Sequence, residues 1–150
     1  MPPKFLQLLK NNFALKWAGA HGYGHWQRVL QNGLLLAPRT GANERVVVLF
    51  AYLHDLCRVD EYDDPDHGHR SADFASSLNG KYFDLSEEEL GLLDHAIRAH
   101  ADGLTTTEPT IGTCWDADRL DLSRVGILPN VAFLSTQAAK DCISGSAWRV

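Results

Sequence analysis

The sequence contains few cysteines and no long apolar run. Its three cysteines are Cys57, Cys114 and Cys142, an odd number without C-x-x-C spacing, which argues against a disulfide framework and a zinc knuckle. We expect reduced thiols in or near the core. No window is long and apolar enough to span a bilayer, and residues 1–13 lack the apolar region and cleavage site of a secretory signal. A cytoplasmic protein without a membrane partner is therefore expected.

The chain also lacks a surplus of positive charge, because its formal net charge is −5. A nucleic-acid backbone is bound mainly by clustered lysine and arginine, so we expect no stable nucleic-acid binding. A local basic cluster could still hold a small phosphorylated ligand. The sequence makes no prediction about the oligomeric state.

Hydrophobic periodicity predicts an all-α fold. With 150 residues, 45% of them hydrophobic, the chain has the usual size of one domain and can bury a substantial core. We predict a single-domain helical bundle of six or seven helices over residues 1–150, without internal repeats. Apolar spacing and turn signals place these helices at about 3–17, 24–37, 42–57, 69–79, 87–100, 114–127 and 131–143.

Two helix boundaries have specific signals. Ser86 and Glu89 have the spacing of a capping box. Pro38 and Gly41 are predicted to break the chain, with Thr40 capping the third helix. The valines at 46–48 would also suit a buried parallel strand. We favour a helix there because the pattern is too long for a typical strand and no other segment offers a convincing strand partner.

The apolar run 46–53 ends abruptly in His54 and Asp55. A buried carboxylate beside an imidazole is costly unless something compensates for the lost hydration, and a divalent cation is the strongest compensation available. We therefore interpret the pair as half of a metal site. The alternative is a buried His-Asp hydrogen bond that only satisfies two polar groups.

Histidine or aspartate also occurs near the ends of three other predicted helices, at His25, at 95–100 and at 116–121. Two imidazoles with two carboxylates leave room for water in an octahedral shell, which suits Mn²⁺, Mg²⁺, Fe²⁺, Ni²⁺ or Co²⁺ better than a closed zinc site. Taken alone, His25 could simply pack at a helix start, and Asp118 could be an exposed acid paired with a neighbouring arginine.

A family resemblance is visible in the order of these residues, His, His-Asp, Asp, and in the short sequence motifs around them. GHWQRV surrounds His25, LHDLCR contains His54 and Asp55, DHGHRSA contains His67, and WDADRLDL contains Asp118. Over about residues 22–136 the chain resembles small bacterial members of the HD-domain superfamily of metal-dependent phosphohydrolases. The resemblance implies an α-helical bundle with the site between helices. It also implies one divalent metal held by His25, His54, Asp55 and Asp118, the last chosen because it precedes a basic-Leu pair.

Further histidines bind a second ion in two-metal branches of the superfamily, and His67, His95 and His100 are available here. The adjacent His-His of the cyclic-dinucleotide phosphodiesterases is absent, so we expect one metal, with a second possible. The three histidines are then candidates for binding the substrate phosphate or moving a proton near neutral pH. We assign catalytic roles to His67 and His95, and to Asp55 as ligand and orienter of the attacking water.

Arg58 lies three residues after Asp55 and could bind a phosphate with both arms of its guanidinium. Equally, it could be a surface arginine paired with Asp60 or Glu61. Substrate-binding candidates are therefore Arg58, His67, His95 and His100.

The resemblance predicts an enzyme, a phosphohydrolase that uses a metal-activated water on a nucleotide or another small phosphorylated metabolite. Whether the bond is a phosphomonoester, a phosphodiester or a pyrophosphate stays open. The alternative is a non-catalytic nucleotide-binding or sensor module that retains the fold and the metal.

Overall fold

The structure, a computed structural model, describes residues 1–145 and contains only helices as regular elements in that range. The prediction of an all-α fold is thereby confirmed. No helix in the described range has the length and apolar character needed to cross a membrane. The α-helices are α1 Pro3–Asn12, α2 Tyr23–Thr40, α3 Glu44–Leu53, α4 His67–Leu78, α5 Glu87–Ala99, α6 Pro109–Arg119 and α7 Gln137–Ile143, with 3₁₀ helices at Leu122–Val125 and Val131–Phe133.

The boundary between α2 and α3 differs from the prediction. α2 continues through Pro38 to Thr40, since a proline in the last turn disturbs only one backbone hydrogen bond of the helix. Asn43, and not Thr40, caps α3 by accepting the backbone N–H of Val46. The Thr40 hydroxyl instead forms a hydrogen bond with the hydroxyl of Thr113 on α6 at 2.8 Å. The predicted break at Pro38 and the predicted cap at Thr40 are both wrong.

Other helix ends shift by a few residues. The capping box of Ser86 and Glu89 is present at the start of α5. α1 ends at Asn12, whereas the prediction extended it to 17, and α4 begins at His67, two residues early. α6 begins at Pro109 inside a stretch interpreted as polar loop, because Glu108 caps it by accepting an amide N–H.

The C-terminal segment also differs, because the helix predicted over 131–143 is divided into a 3₁₀ turn and the short helix α7. Leu134 between them is only 2% exposed and packs with Leu36 of α2 in a small second cluster. This contact holds segment 131–143 against the other helices, although the segment is not one continuous helix.

The main core lies around α3, whose buried face packs against α2, α5 and α6. Two glycines permit close helix contacts. A Cβ added at Gly33 would lie 2.5 Å from Cγ1 of Val47, where α2 meets α3. A Cβ at Gly68 would lie 2.8 Å from the carbonyl oxygen of Arg98 and 3.0 Å from that of Ile97, where α4 meets α5. These contacts bring together the helix ends that carry the histidines.

The cysteines are all free, as expected from their number and spacing. Cys114 and Cys142 are buried, and Cys57 is partly buried. Cys114 and Cys142 pack in the two hydrophobic clusters, and none of the three forms a cross-link.

Candidate functional site

The four residues proposed as metal ligands lie close together between the helices. His25 lies in the first turn of α2, His54 and Asp55 directly follow α3, and Asp118 lies in the last turn of α6. Nε2 of His25 is 3.1 Å from Nε2 of His54 and 3.3 Å from Oδ1 of Asp118. Oδ2 of Asp55 is 3.6 Å from Nε2 of His25 and 3.5 Å from Nε2 of His54. We call these four residues the first ligand group.

A second ligand group lies beside the first and consists of Asp55, His67 and His100. The other carboxylate oxygen of Asp55, Oδ1, is 3.3 Å from Nε2 of His67 and 3.4 Å from Nε2 of His100. The two Nε2 atoms are 3.0 Å apart. Their nitrogen and oxygen atoms are close enough together to hold a metal ion, as are those of His25, His54 and Asp55 in the first group. Asp118 forms a further such set with His54 and His100, which links the two groups. Asp55 therefore belongs to both groups, with one oxygen directed to each.

His95 is not part of this arrangement. Its side chain is exposed on the outside of α5, where its ring lies 6.0 Å from that of Trp115. His100, at the end of the same helix, is 5% exposed and faces Asp55. The structure thus brings His67 and His100 together and leaves His95 apart from the site.

The hydrogen bonds of the four buried imidazoles fix which ring nitrogen faces the site. Each Nδ1 faces an oxygen acceptor: Oδ2 of Asp121 for His25, and the carbonyl oxygens of Phe50, Asp64 and Ile97 for His54, His67 and His100. Nδ1 therefore carries the hydrogen, and Nε2 of a neutral ring presents its lone pair inward. This is the tautomer in which a histidine binds a metal through Nε2.

Inward lone pairs that face one another require a positive charge between them. The His25–His54 and His67–His100 pairs need either a shared proton or a metal ion, although Arg58 also donates from Nη1 towards Nε2 of His67 at 3.3 Å. Oδ1 of Asp55 is buried and lacks a hydrogen-bond partner among the described residues. The donor set therefore fits divalent metal ions, and His25, His54, Asp55 and Asp118 could hold one.

Burial and the carboxylates determine the charges. Burial lowers the pKa of His54 to about 3, so this imidazole is neutral near pH 7. Burial alone would also lower the pKa values of His25 and His100, but the neighbouring carboxylates outweigh it and raise both. Burial would raise the pKa of Asp55, yet the histidines around it hold that pKa well below its usual range. Asp55 is therefore ionised and its ring neighbours attract positive charge.

Asp121 orients the first ligand group, a role that the sequence analysis did not assign. Its Oδ2 accepts from Nδ1 of His25 at 2.7 Å, and its Oδ1 accepts from Nε of Arg28 at 2.7 Å. The sequence signal that could have indicated this role is the position of Asp121 three residues, about one helical turn, after Asp118. Asp116 does not reach the site, because its carboxylate accepts three hydrogen bonds from Ser135 and Thr136.

Both ligand groups open into a cavity of about 550 Å³. Arg58 reaches the same cavity, as the sequence suggested, and its Nη1 is 3.8 Å from Oδ1 of Asp55. It does not pair with the Asp60 or Glu61 carboxylates: its Nε donates to the backbone oxygen of Asp60, and Glu61 binds His21 instead. The remaining lining residues are His21, Asp55, His67, His100, Ala101, Gly103, Asp118, Arg119, Leu122, Arg124, Ile127, Leu128, Asn130 and Phe133.

The chain is similar to known proteins in its fold and in its sequence. The chain is similar to the crystal structure of a predicted HD superfamily hydrolase from an uncultured Thermotogales bacterium, with a TM-score of 0.65 and 24% identity over 94% of this chain and 84% of that one. At this identity the likeness shows the fold alone. A comparison with curated proteins finds no match. The family model described as HD domain matches residues 22–129, well over half of the chain, and the chain therefore belongs to the HD-domain family.

Proposed function

We propose that this protein is a metal-dependent phosphohydrolase that acts on a nucleotide or another small phosphorylated metabolite. The observation that carries the proposal is the shared carboxylate of Asp55, which joins two buried ligand groups at the end of a cavity bordered by arginines. Membership of the HD-domain family supports it. So does the similarity in fold to a solved protein described as a predicted HD superfamily hydrolase.

His25, His54, Asp55 and Asp118 would hold the principal divalent ion, and Asp55, His67 and His100 offer a second position. A bound divalent metal would supply a water of lowered pKa and would polarise a phosphoryl oxygen. Manganese, magnesium, iron, nickel and cobalt all suit such nitrogen and oxygen ligands.

The surrounding residues bind and orient the substrate. Arg58 and Arg124 are positive and line the cavity, so they attract the phosphate to the ligand groups. Asp55, ionised and facing both groups, orients the attacking water. His67 and His100 lie on the cavity side of Asp55, where they can hold the phosphate or transfer a proton. His95 has no part in the proposal, because its exposed side chain lies outside the cavity.

The proposal is tested by a screen of phosphorylated metabolites with metal-free protein, to which Mn²⁺, Mg²⁺, Co²⁺, Ni²⁺ or Fe²⁺ is added in turn. We expect phosphate or pyrophosphate release from at least one substrate, and loss of both activity and bound metal in Asp55→Asn. Asp102→Asn is the matched control, since Asp102 is an exposed carboxylate that does not line the cavity.

Failure to bind any of these metals would refute the proposal. Thermal stabilisation by nucleotides without hydrolysis under any metal would instead favour a binding or sensor module.

A further inference from the structure

His21 lies beside the first ligand group without belonging to it. It precedes His25 by four residues, and the centroids of the two imidazole rings are 6.3 Å apart. His21 lines the same cavity as Asp55 and Asp118, and it also lines a neighbouring cavity of about 1000 Å³. Its side chain is only 12% exposed. A largely buried imidazole is thus available to a ligand in the cavity but holds no place among the metal ligands.

A carboxylate determines which nitrogen of His21 is free. Nδ1 lies 2.5 Å from Oε2 of Glu61, so it donates its hydrogen to that carboxylate. Burial lowers the pKa of His21, and the opposing effect of Glu61 is smaller, so the ring is neutral near pH 7 and the lone pair is on Nε2. Nε2 has no hydrogen-bond partner among the described residues, and it is not one of their buried unpartnered atoms, which belong to Trp26, Asp55 and Arg119. It is therefore accessible to a ligand or a water molecule.

Neighbouring contacts hold the His21–Glu61 pair in place. A Cβ at Gly19 would lie 2.7 Å from Oε1 of Glu61, so the glycine leaves room for this carboxylate. Nε of Arg124 donates to the carbonyl oxygen of Ala20 at 2.9 Å, which fixes the backbone just before His21. An imidazole that is oriented by a carboxylate at one nitrogen, with its other nitrogen free, is the arrangement of a general base.

We propose that His21, oriented by Glu61, is a catalytic residue that accepts the proton of the attacking water at Nε2. This inference rests on the proposed function and adds a base to the water-orienting role of Asp55. The water oxygen forms a bond to phosphorus while its proton moves to Nε2, and the bond between phosphorus and the leaving oxygen breaks. The leaving oxygen gains a proton from solvent, and Nε2 later returns its proton to solvent. Glu61 stabilises the positive charge that the ring carries in between.

The test separates the two ring nitrogens of His21. In His21→Asn the side-chain amide can still donate to Glu61, but no atom takes the place of Nε2. We expect kcat for a substrate found in the metal screen to fall about 10²- to 10³-fold, the usual scale for one general base, while KM and the affinity for Mn²⁺ stay unchanged. Glu61→Gln still accepts the hydrogen bond from Nδ1 but lacks the negative charge, so kcat should fall by a smaller factor. His69→Asn and Asp63→Asn are the matched controls and should match wild type, since both residues are exposed and line neither cavity.

Wild-type kcat in His21→Asn would overturn the proposal, because the contact with Glu61 would then serve only to join two loops. Loss of Mn²⁺ from this variant would also overturn it, since His21 would then be a support of the first ligand group. If the variant does not fold, as measured by circular dichroism, Glu61→Gln decides, and an unchanged kcat there refutes the role of Nε2. A wild type that hydrolyses no substrate with any metal refutes the proposed function and the base together, whereas a fully active His21→Asn refutes the base alone.

Discussion

The shared carboxylate of Asp55 predicts that two divalent ions bind with unequal affinity. A metal ion binds the neutral form of histidine, so the combined ligand groups offer it a formal charge of −2, from the ionised carboxylates of Asp55 and Asp118. One divalent ion brings this charge to zero, and a second would leave it at +2. The first ion is therefore attracted by the full charge of the site, whereas the second meets a site that is already neutral.

The size of the difference follows from Coulomb's law. Two unit charges at ~4 Å interact by about 1 kcal/mol in bulk water and about 4 kcal/mol at an effective dielectric constant of about 20. The second ion loses the attraction of two such charges, so we expect it to bind at least an order of magnitude more weakly than the first. A phosphate in the cavity restores negative charge, and it should tighten the second ion more than the first.

The assay is a calorimetric titration of metal-free protein with Mn²⁺, with and without inorganic phosphate. Wild type should show one tight equivalent and a weaker second one that tightens with phosphate. His100→Ala should keep the tight equivalent and lose the second, whereas His54→Ala should lose the tight one. His95→Ala is the control on the same helix as His100, and it should match wild type, since its side chain is exposed away from the site.

Three outcomes would refute this reasoning. If His100→Ala abolishes the tight equivalent, the two ligand groups are not separate sites. If His95→Ala weakens metal binding as much as His100→Ala, the arrangement of α5 described above is wrong. Two equally tight equivalents in the absence of phosphate would contradict the charge argument itself.

Three further predictions concern orientation, packing and acid stability. Asp121→Asn should lower the affinity for the first ion about 10- to 100-fold, because the carboxylate that orients His25 is lost; unchanged affinity in calorimetry would contradict this role. Gly33→Ala places a Cβ against Val47, and we expect the free energy of unfolding, measured in urea, to fall by about 1–3 kcal/mol. An unchanged free energy of unfolding would show that α2 and α3 can move apart without cost. Burial would raise the pKa of Asp64, but hydrogen bonds from an arginine and a backbone amide lower it from 3.8, so its stabilising effect is complete above pH 3.8 and lost as the pH falls through the lower folded value. Asp64→Asn should remove this part of the pH dependence of stability. If the free energy of unfolding falls equally with falling pH in Asp64→Asn and in the wild type, this role of Asp64 is contradicted.

The fold could be predicted from the sequence because the helices carry their own signals. The apolar run before His54 made α3 recognisable, and Ser86 and Glu89 marked the start of α5. Helix ends that depend on distant contacts could not be predicted in this way. Thr40 looks like a cap in isolation, but its hydroxyl binds Thr113, which is distant in sequence.

The choice between His95 and His100 shows why the candidate site was harder to predict. The two residues lie five positions apart, so they point about 140° away from each other around a helix of 3.6 residues per turn. Apolar residues occur near both, and periodicity alone did not tell which one faces the interior. The packing of α4 against α5 decides it, and this packing involves residues that are distant in sequence.

The backbone contact at Gly68 has a consequence for the separation of the two ligand groups. Gly68 follows His67 directly, and a Cβ there would lie against the carbonyl oxygens of Ile97 and Arg98, shortly before His100, so the close approach of the two main chains helps to set the distance between those two imidazoles. The smallest side chain at position 68 would act as a wedge between them, while the histidines themselves stayed unchanged in sequence. A residue with no side chain thus works as a spacer in the second ligand group, which shares Asp55 with the first.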